Sequence, residues 1–207
     1  MIDTLMLDVD GVLVGPKDGL HLFTDLERDL GLSLPLLQRR FFEPHWQDIV
    51  TGREPMRVRL AEVLAEVAPD LPVDVLIDYW FEHDAKINQS VLTSLAAHRG
   101  AGLKIFLATN QEHLRAQYLM GSIGLEDHVD GICYSADLGA RKPDARFYSL
   151  AAERAASPAD RNLLVDDTLA NVLAARAAGW KAEHWTGEHS LDALLDRHLE
   201  PSSHQST

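Results

Sequence analysis

Residues 4–12 read TLMLDVDGV: a short, mainly apolar run at 4–7 is followed by the sequence DVDGV, which contains two aspartates and a glycine. Such a run, bounded by polar residues, is typical of a strand that is buried on both faces of a parallel sheet. Similar runs cover residues 104–108, 131–134 and 162–165, and a weaker one covers 180–185. Helical spacing of apolar residues separates the runs, most clearly at 90–100 and 168–178. This alternation predicts an α/β fold with a doubly wound parallel sheet.

One long segment interrupts the alternation of strands and helices. Residues 14–88 show helical patterns and no convincing strand. Two apolar stripes at helical spacing lie in it, formed by Met56, Leu60, Val63, Leu64 and Val67 and by Val75, Leu76, Tyr79 and Trp80. We therefore predict a helical cap at 14–88, inserted into an α/β core formed by 1–13 and 89–207. The polar tail from Pro201 onward is expected to be frayed.

Composition and charge exclude several classes of protein. With 46% hydrophobic and 25% charged residues, the 207-residue chain has the proportions of a globular protein. Its formal charge of −13 opposes binding to nucleic acid or to anionic membranes. No run approaches the ~20 apolar residues that span a bilayer, and the first residues lack the basic region of a secretion signal. The single Cys133 lies in an apolar run, which predicts a buried thiol. We expect a cytoplasmic monomer or homodimer.

Polar side chains follow each of the four clearest strands. They are carboxylates, a hydroxyl, an amide and an ammonium, at Asp8, Asp10, Thr109, Asn110, Lys142, Asp166 and Asp167. Ligands of an open α/β sheet bind beyond the carboxyl ends of its strands, so we expect these groups to lie together. Four carboxylates at one place would repel each other unless a divalent cation lay among them, and hard oxygen ligands suit Mg²⁺. The sequence therefore predicts a magnesium site at this edge.

The order of these residues resembles the four motifs of the haloacid dehalogenase superfamily. Its DxDG[TV] motif matches residues 8–12, its Ser/Thr matches Thr109, its Lys matches Lys142, and its acidic pair matches 166–167. The stretches DLGARKPD at 137–144 and DDTLAN at 166–171 are similar to small capped phosphatases. Those that act on sugar phosphates such as glucose 1-phosphate, and the phosphatase-like domain of epoxide hydrolases, are the nearest in pattern. The resemblance implies a Mg²⁺-dependent phosphatase whose partner is a small phosphorylated metabolite.

The resemblance also implies roles for the residues that would carry the chemistry. Asp8 is the expected nucleophile, which forms an aspartyl phosphate. Asp10 is the expected general acid and base, protonating the leaving oxygen and then deprotonating the attacking water. Thr109 would donate its hydroxyl to a phosphoryl oxygen, and Lys142 would neutralise charge in the transition state.

The expected metal ligands are the carboxylates of Asp8 and Asp166 and the backbone carbonyl of Asp10. Asp167 is expected to support Lys142 or a metal-bound water rather than to ligate directly. Asn171 stands where many relatives carry Asp, so it is assigned a supporting place beside the metal.

Substrate contacts are expected in the core and in the cap. Gly11 would let the backbone approach the phosphate closely, and Thr109, Asn110 and Lys142 would bind it as well. Arg53 is the candidate contact from the cap, because it follows a glycine that could mark a loop tip.

Each motif alone also fits a turn or a helix cap, but those readings do not explain why the set aligns at strand ends. A haloacid dehalogenase would share the nucleophile, yet halide displacement needs no leaving-oxygen proton and no metal. A phosphomutase would share every core residue and differ in the cap, so the sequence leaves it open.

In a response-regulator receiver the acidic pair follows the first strand and the phosphorylated Asp follows the third, which is the reverse of the order here. A pseudoenzyme would have lost Asp8, Asp10, Lys142 or Asp166, and all four are present.

Overall fold

A parallel sheet forms the centre of the computed structural model, which describes residues 1–15 and 23–199. The strands in these residues are β1 (Thr4–Leu7), β2 (Val14–Gly15), β3 (Lys86–Ile87), β4 (Lys104–Thr109), β5 (Gly131–Tyr134), β6 (Asn162–Asp166) and β7 (Lys181–His184). Five of them pair in the order β5-β4-β1-β6-β7, and every neighbouring pair is parallel. The predicted α/β fold is therefore confirmed. The predicted fraying from Pro201 concerns residues outside the described ranges.

Helices connect the strands, and side chains cap the first turn of some of them. In the described part of the chain they are α1 (Leu26–Leu30), α2 (Leu34–Leu37), α3 (Glu43–Ile49), α4 (Met56–Val67), α5 (Val73–His83), α6 (Gln89–Gly100), α7 (His113–Gln117), α8 (Ser135–Leu138), α9 (Ala145–Ala155), α10 (Leu169–Ala177) and α11 (Leu191–Leu199). Single π-helical turns at Gln38–Phe42 and Tyr118–Ser122 extend α2 and α7. The Asn88 side chain accepts the Val91 N–H at the start of α6, and Asp144 accepts the Arg146 N–H at the start of α9.

Two apolar layers cover the two faces of the sheet. Successive side chains of a strand point to opposite faces. Leu5 and Leu7 of β1 accordingly join one cluster with residues of α6 and α11, while Met6 joins another with Phe147 of α9 and Val172 of α10. Helices on both faces explain why the central strands are apolar along their whole length. Cys133 lies fully buried in the second cluster, as predicted, and burial raises the pKa of its thiol to about 12.

A third apolar cluster belongs mainly to the helices between β2 and β3. It contains Phe41, Leu60 and Trp80, and Leu114 and Tyr118 of the core also pack against it. The predicted division into a cap at 14–88 and a core at 1–13 and 89–207 stays a prediction. Within residues 1–15 and 23–199, no helix has both the length and the apolar character needed to cross a bilayer.

Two details of this helical segment differ from the sequence-based expectations. Its ends pair as an antiparallel ribbon, Val14 with Ile87 and Gly15 with Lys86, although no strand was predicted there. Two-residue strands are too short to show an alternating pattern. In α5 the expected stripe is rotated: Val75 is 43% exposed, and Ile77 is buried instead. The tertiary contacts of a helix, rather than its period alone, decide which apolar residues face inward.

Candidate active site

The carboxyl edge of the sheet brings most of the predicted site residues into one pocket. Strand β1 lies between β4 and β6. Asp8, Thr109 and Asp166 therefore lie at the carboxyl ends of three adjacent strands, at the same edge of the sheet. The pocket there has a volume of about 290 Å³ and is lined by Asp8, Asp10, Gly11, Thr109, Asn110, Lys142, Asp167, Thr168 and Asn171. Asp166 lies directly beneath it and is fully buried. Asp10 comes to the same pocket as Asp8 because the chain leaves the strand between them.

Lys142 is a buried ammonium held between two carboxylates. Its Nζ lies 2.5 Å from Oδ2 of Asp166 and 3.0 Å from Oδ1 of Asp8, and it donates to the carbonyl of Ala108 at 2.7 Å. Burial lowers the pKa of Lys142, but the two carboxylates outweigh it, and the pKa is raised overall. The side chain therefore stays protonated at the floor of the pocket.

Asp8 lies beside this ammonium and is itself nearly buried. Its Oδ1 accepts the N–H of Val9 at 2.8 Å in addition to the contact with Lys142. Burial raises the pKa of Asp8 to about 7; Lys142 opposes the rise, and Asp166 adds to it. A cation bound beside Asp8 would favour its ionised form.

Asp10 is exposed to solvent at the mouth of the pocket, and one of its carboxylate oxygens accepts a hydrogen bond. The Gln111 side chain donates from Nε2 to Oδ2 of Asp10 at 2.6 Å. Although Asp10 is accessible, the surrounding protein displaces enough water to raise its pKa to about 6. Asp84 adds to the rise, and Arg115 opposes it. A carboxyl group with this pKa can both give and take a proton near neutral pH.

The two carboxylates of the acidic pair after β6 have different neighbours. Asp166 is fixed by the N–H of Thr168 at 2.8 Å and by Nδ2 of Asn171 at 3.0 Å, so Asn171 holds a predicted metal ligand. Asp167 instead lies beside Gly11. A Cβ on Gly11 would stand 2.1 Å from Oδ2 of Asp167, and the φ of +77° at Gly11 also favours glycine. Glycine is therefore required at position 11 because the Asp167 carboxylate lies where a side chain would be.

Three carboxylates can reach one cation. Asp8, Asp166 and Asp167 each offer an oxygen, and these oxygens lie within 4.8 Å of one another. Together with the ammonium of Lys142 they leave two negative charges, which one divalent cation would balance. This donor set consists of hard oxygens and fits Mg²⁺.

Both the oxygen and the nitrogen of the Asn110 side-chain amide form hydrogen bonds with the backbone of Lys142. Its Oδ1 accepts the Lys142 N–H at 2.8 Å, and its Nδ2 donates to the Lys142 carbonyl at 3.0 Å. The geometry therefore gives Asn110 a part in placing the Lys142 loop. Sequence reasoning missed Gln111, which is 4% exposed and contacts Asp10 directly. The one signal that could have found it is its place two residues beyond Thr109, in a loop that leaves the same edge.

The structure does not bring Arg53 into this set. Arg53 is exposed and pairs with Asp48 at 2.7 Å, and it is absent from the described residues that line the pocket. Its neighbour Gly52 does touch the core, because a Cβ there would stand 2.2 Å from the carbonyl oxygen of Ala136. A substrate contact from Arg53 stays a prediction.

A second contact joins the helical segment to the core near Lys142. Nη1 of Arg141 donates to Oε1 of Gln47 at 2.8 Å. The end of α3 therefore lies over the loop that carries the buried ammonium.

Known proteins match this chain over most of its length. A family model described as a haloacid dehalogenase-like hydrolase matches residues 2–179. Phosphatase MT3486 of Mycobacterium tuberculosis is 30% identical over 193 residues, which cover 87% of this chain and 86% of that protein.

Two solved structures share the fold. A HAD family enzyme of Bacteroides thetaiotaomicron, in complex with magnesium and inorganic phosphate, has a TM-score of 0.79 at 14% identity and covers 94% of this chain and 99% of that one. The L-2-haloacid dehalogenase of Xanthobacter autotrophicus has a TM-score of 0.64 at 21% identity and covers 94% of this chain and 81% of that one.

Proposed function

The chain belongs to the haloacid dehalogenase-like hydrolases, and we propose that it is a Mg²⁺-dependent phosphatase that hydrolyses a small phosphate monoester through an aspartyl phosphate. Its relative in Mycobacterium tuberculosis is named a phosphatase. One observation carries the proposal. The nucleophile candidate Asp8 lies within reach of both the Lys142 ammonium and a carboxylate set that fits a divalent cation.

The reaction divides into two transfers of the phosphoryl group. In the first, a carboxylate oxygen of Asp8 attacks phosphorus while the ester P–O bond breaks, and Asp10 gives its proton to the leaving oxygen. In the second, Asp10 takes a proton from water, the water oxygen attacks phosphorus, and the bond to Asp8 breaks. Inorganic phosphate leaves, and both aspartates return to their starting states.

The remaining pocket residues stabilise charge and hold the reacting groups. Lys142 fixes the Asp8 carboxylate and faces the oxygens on which negative charge collects. Thr109 is 1% exposed at the end of β4 and offers a hydroxyl to the phosphoryl group. A bound Mg²⁺, held by Asp8, Asp166 and the backbone carbonyl of Asp10, would supply further positive charge to the phosphoryl oxygens. Asp167 would complete the site directly or through water.

The substrate that fits this pocket is small. A volume of about 290 Å³ lies at the lower end of ligand sites, which span about 300–1,000 Å³. We propose a phosphorylated metabolite such as a sugar phosphate as substrate, and a cytoplasmic location. Haloacid dehalogenase activity is disfavoured, because Asp10 is held in the pocket with a raised pKa and halide displacement has no use for its proton.

Phosphate release from p-nitrophenyl phosphate tests the proposal. We expect release in Mg²⁺, none in EDTA, and none from Asp8→Asn under either condition. Asp70→Asn changes an exposed aspartate of the helical segment and serves as the matched control, with wild-type rates expected. Release that persists in EDTA or in Asp8→Asn would contradict the mechanism. Failure of wild type to release phosphate from this ester and from a panel of sugar phosphates, together with conversion of glucose 1-phosphate into glucose 6-phosphate when glucose 1,6-bisphosphate is supplied as the phosphoryl donor, would favour the phosphomutase.

A further inference from the structure

Gln111 is a buried side chain whose amide touches the proposed general acid. It is 4% exposed, and its Nε2 lies 2.6 Å from Oδ2 of Asp10. We infer that Gln111 is a positioning residue for Asp10: it holds one oxygen of the carboxyl group so that the other faces the leaving oxygen of the substrate. This inference rests on the proposed phosphatase function and on the role of Asp10 in it.

The surrounding structure fixes Gln111 before any substrate binds. Its backbone carbonyl accepts the Ser135 hydroxyl at 3.2 Å and the Ala136 N–H at 3.1 Å, both from the segment that follows β5. The next residue, Glu112, caps α7 by accepting the N–H of Leu114 at 2.8 Å. The backbone carbonyl of Gln111 is thus tied to the segment after β5, and the next residue is tied to the start of α7. A group held by such contacts is preorganised for its partner.

The donor chemistry of the amide determines which oxygen carries the proton. An N–H group can only donate, so Oδ2 of Asp10 accepts from Gln111 and the transferable proton belongs on Oδ1. Asp10 is followed by Gly11 in a turn, and its side chain would otherwise sample several orientations. By holding Oδ2, Gln111 keeps Oδ1 aimed at the pocket, and alignment of a reacting group is a large part of catalytic rate.

Loss of this contact should depend on the leaving group. General acid catalysis contributes about 10²–10⁴-fold where the leaving oxygen needs a proton. Phenolate is a poorer leaving group than p-nitrophenolate, so phenyl phosphate depends on Asp10 and p-nitrophenyl phosphate hardly does. The ratio kcat/KM reports cleavage of the ester bond and excludes the later hydrolysis of the aspartyl phosphate. A positioning defect at Asp10 therefore lowers kcat/KM for phenyl phosphate selectively, whereas general damage to the fold lowers both values together.

The experiment compares kcat/KM on these two esters, in saturating Mg²⁺, for wild type, Asp10→Asn, Gln111→Met and Gln117→Met. Methionine keeps the length of glutamine and removes the donor. Gln117 is an exposed glutamine of α7 and gives the matched control. We expect Gln111→Met to lose about tenfold or more on phenyl phosphate and less than about threefold on p-nitrophenyl phosphate. Gln117→Met should match wild type on both. If Gln111→Met does not fold, Gln111→Asn, which keeps the donor on a shorter stem, is expected to show a smaller selective loss.

The outcomes separate the inference from its premises. Absence of phosphate release from either ester by wild type would refute the proposed function and this inference with it. Equal losses on both esters in Asp10→Asn would refute the acid role of Asp10. Suppose that Asp10→Asn loses kcat/KM selectively on phenyl phosphate, while the Gln111 variant that folds loses it equally on both esters or not at all. This result would overturn the positioning role of Gln111 and leave the acid role of Asp10 standing. A selective loss in both would support it.

Discussion

Removal of the buried ammonium of Lys142 is expected to destabilise the protein strongly. In Lys142→Met the side chain keeps its length, but the carboxylates of Asp8 and Asp166 lose a cation that lies 3.0 and 2.5 Å from them. Lys142 is 1% exposed and Asp166 is fully buried, so water cannot solvate the carboxylates that have lost their cation. Breaking a buried ion pair by removing one partner costs about 3–5 kcal/mol. For a chain of this length 1 kcal/mol shifts Tm by about 2–4 °C, which predicts a fall of about 6–20 °C.

Thermal unfolding in EDTA, followed by circular dichroism, measures this effect. Lys104→Met, at an exposed lysine of β4, provides the control and should leave Tm within about 2 °C of wild type. The deficit of Lys142→Met should be larger at pH 8 than at pH 5, because protonation of Asp8 at low pH relieves the unpaired charge. Saturating Mg²⁺ should reduce the deficit, since it supplies positive charge at the same place. A variant whose Tm equals that of wild type, or whose deficit is the same at both pH values, would show that Lys142 does not neutralise the two carboxylates.

Three further predictions concern the same pocket. Gly11→Ala should abolish phosphate release and lower Tm, because the new methyl would meet the Asp167 carboxylate and strain a φ of +77°; an alanine variant with wild-type kinetics would show that neither constraint matters. The proton bound by Asp8 contributes to the stability of the metal-free protein below its unfolded pKa of 3.8, and this contribution is lost as the pH rises through about 7. Mg²⁺ competes with that proton, so the rise in Tm caused by 5 mM Mg²⁺ should be larger at pH 8 than at pH 5, and an equal rise at both would contradict this linkage. Asn110→Ala should lower kcat about tenfold or more with little change in Tm, because it frees the backbone of Lys142; steady-state kinetics and calorimetry together check it, and unchanged kcat would be evidence against a positioning role.

The core of the fold could be predicted because its strands are buried on both faces. Such strands are continuous apolar runs, and β1, β4, β5 and β6 match those runs to within one residue. Because parallel strands share one carboxyl edge, the sequence alone also predicts that the polar residues after them lie together. The ribbon of β2 and β3 could not be predicted, since two residues carry no period.

The contacts that organise the site were less visible in the sequence. Asn110 and Lys142 are 32 positions apart, and the Asn110 side chain contacts the backbone of Lys142, whose atoms are the same in every residue type and leave no signal in the sequence. Gln111 lies in a loop, where no periodicity indicates the direction of a side chain. Its contact with Asp10 depends on how that loop is tied to the segment after β5. Sequence motifs therefore predicted the groups proposed to react, while the groups that hold them required the structure.

Detection of a phosphorylated aspartate tests whether Asp8 is the nucleophile. Asp10→Asn should still be attacked at phosphorus by Asp8 when the leaving group is p-nitrophenolate, but it lacks the base that activates water, so the aspartyl phosphate should accumulate. Acid quenching after mixing with p-nitrophenyl phosphate and Mg²⁺, followed by proteolysis and mass spectrometry, should find one phosphoryl group on the peptide that contains Asp8. The double variant Asp8→Asn, Asp10→Asn should carry none. A phosphoryl group on another residue, or phosphate release by Asp10→Asn at the wild-type rate without any labelled aspartate, would contradict the account.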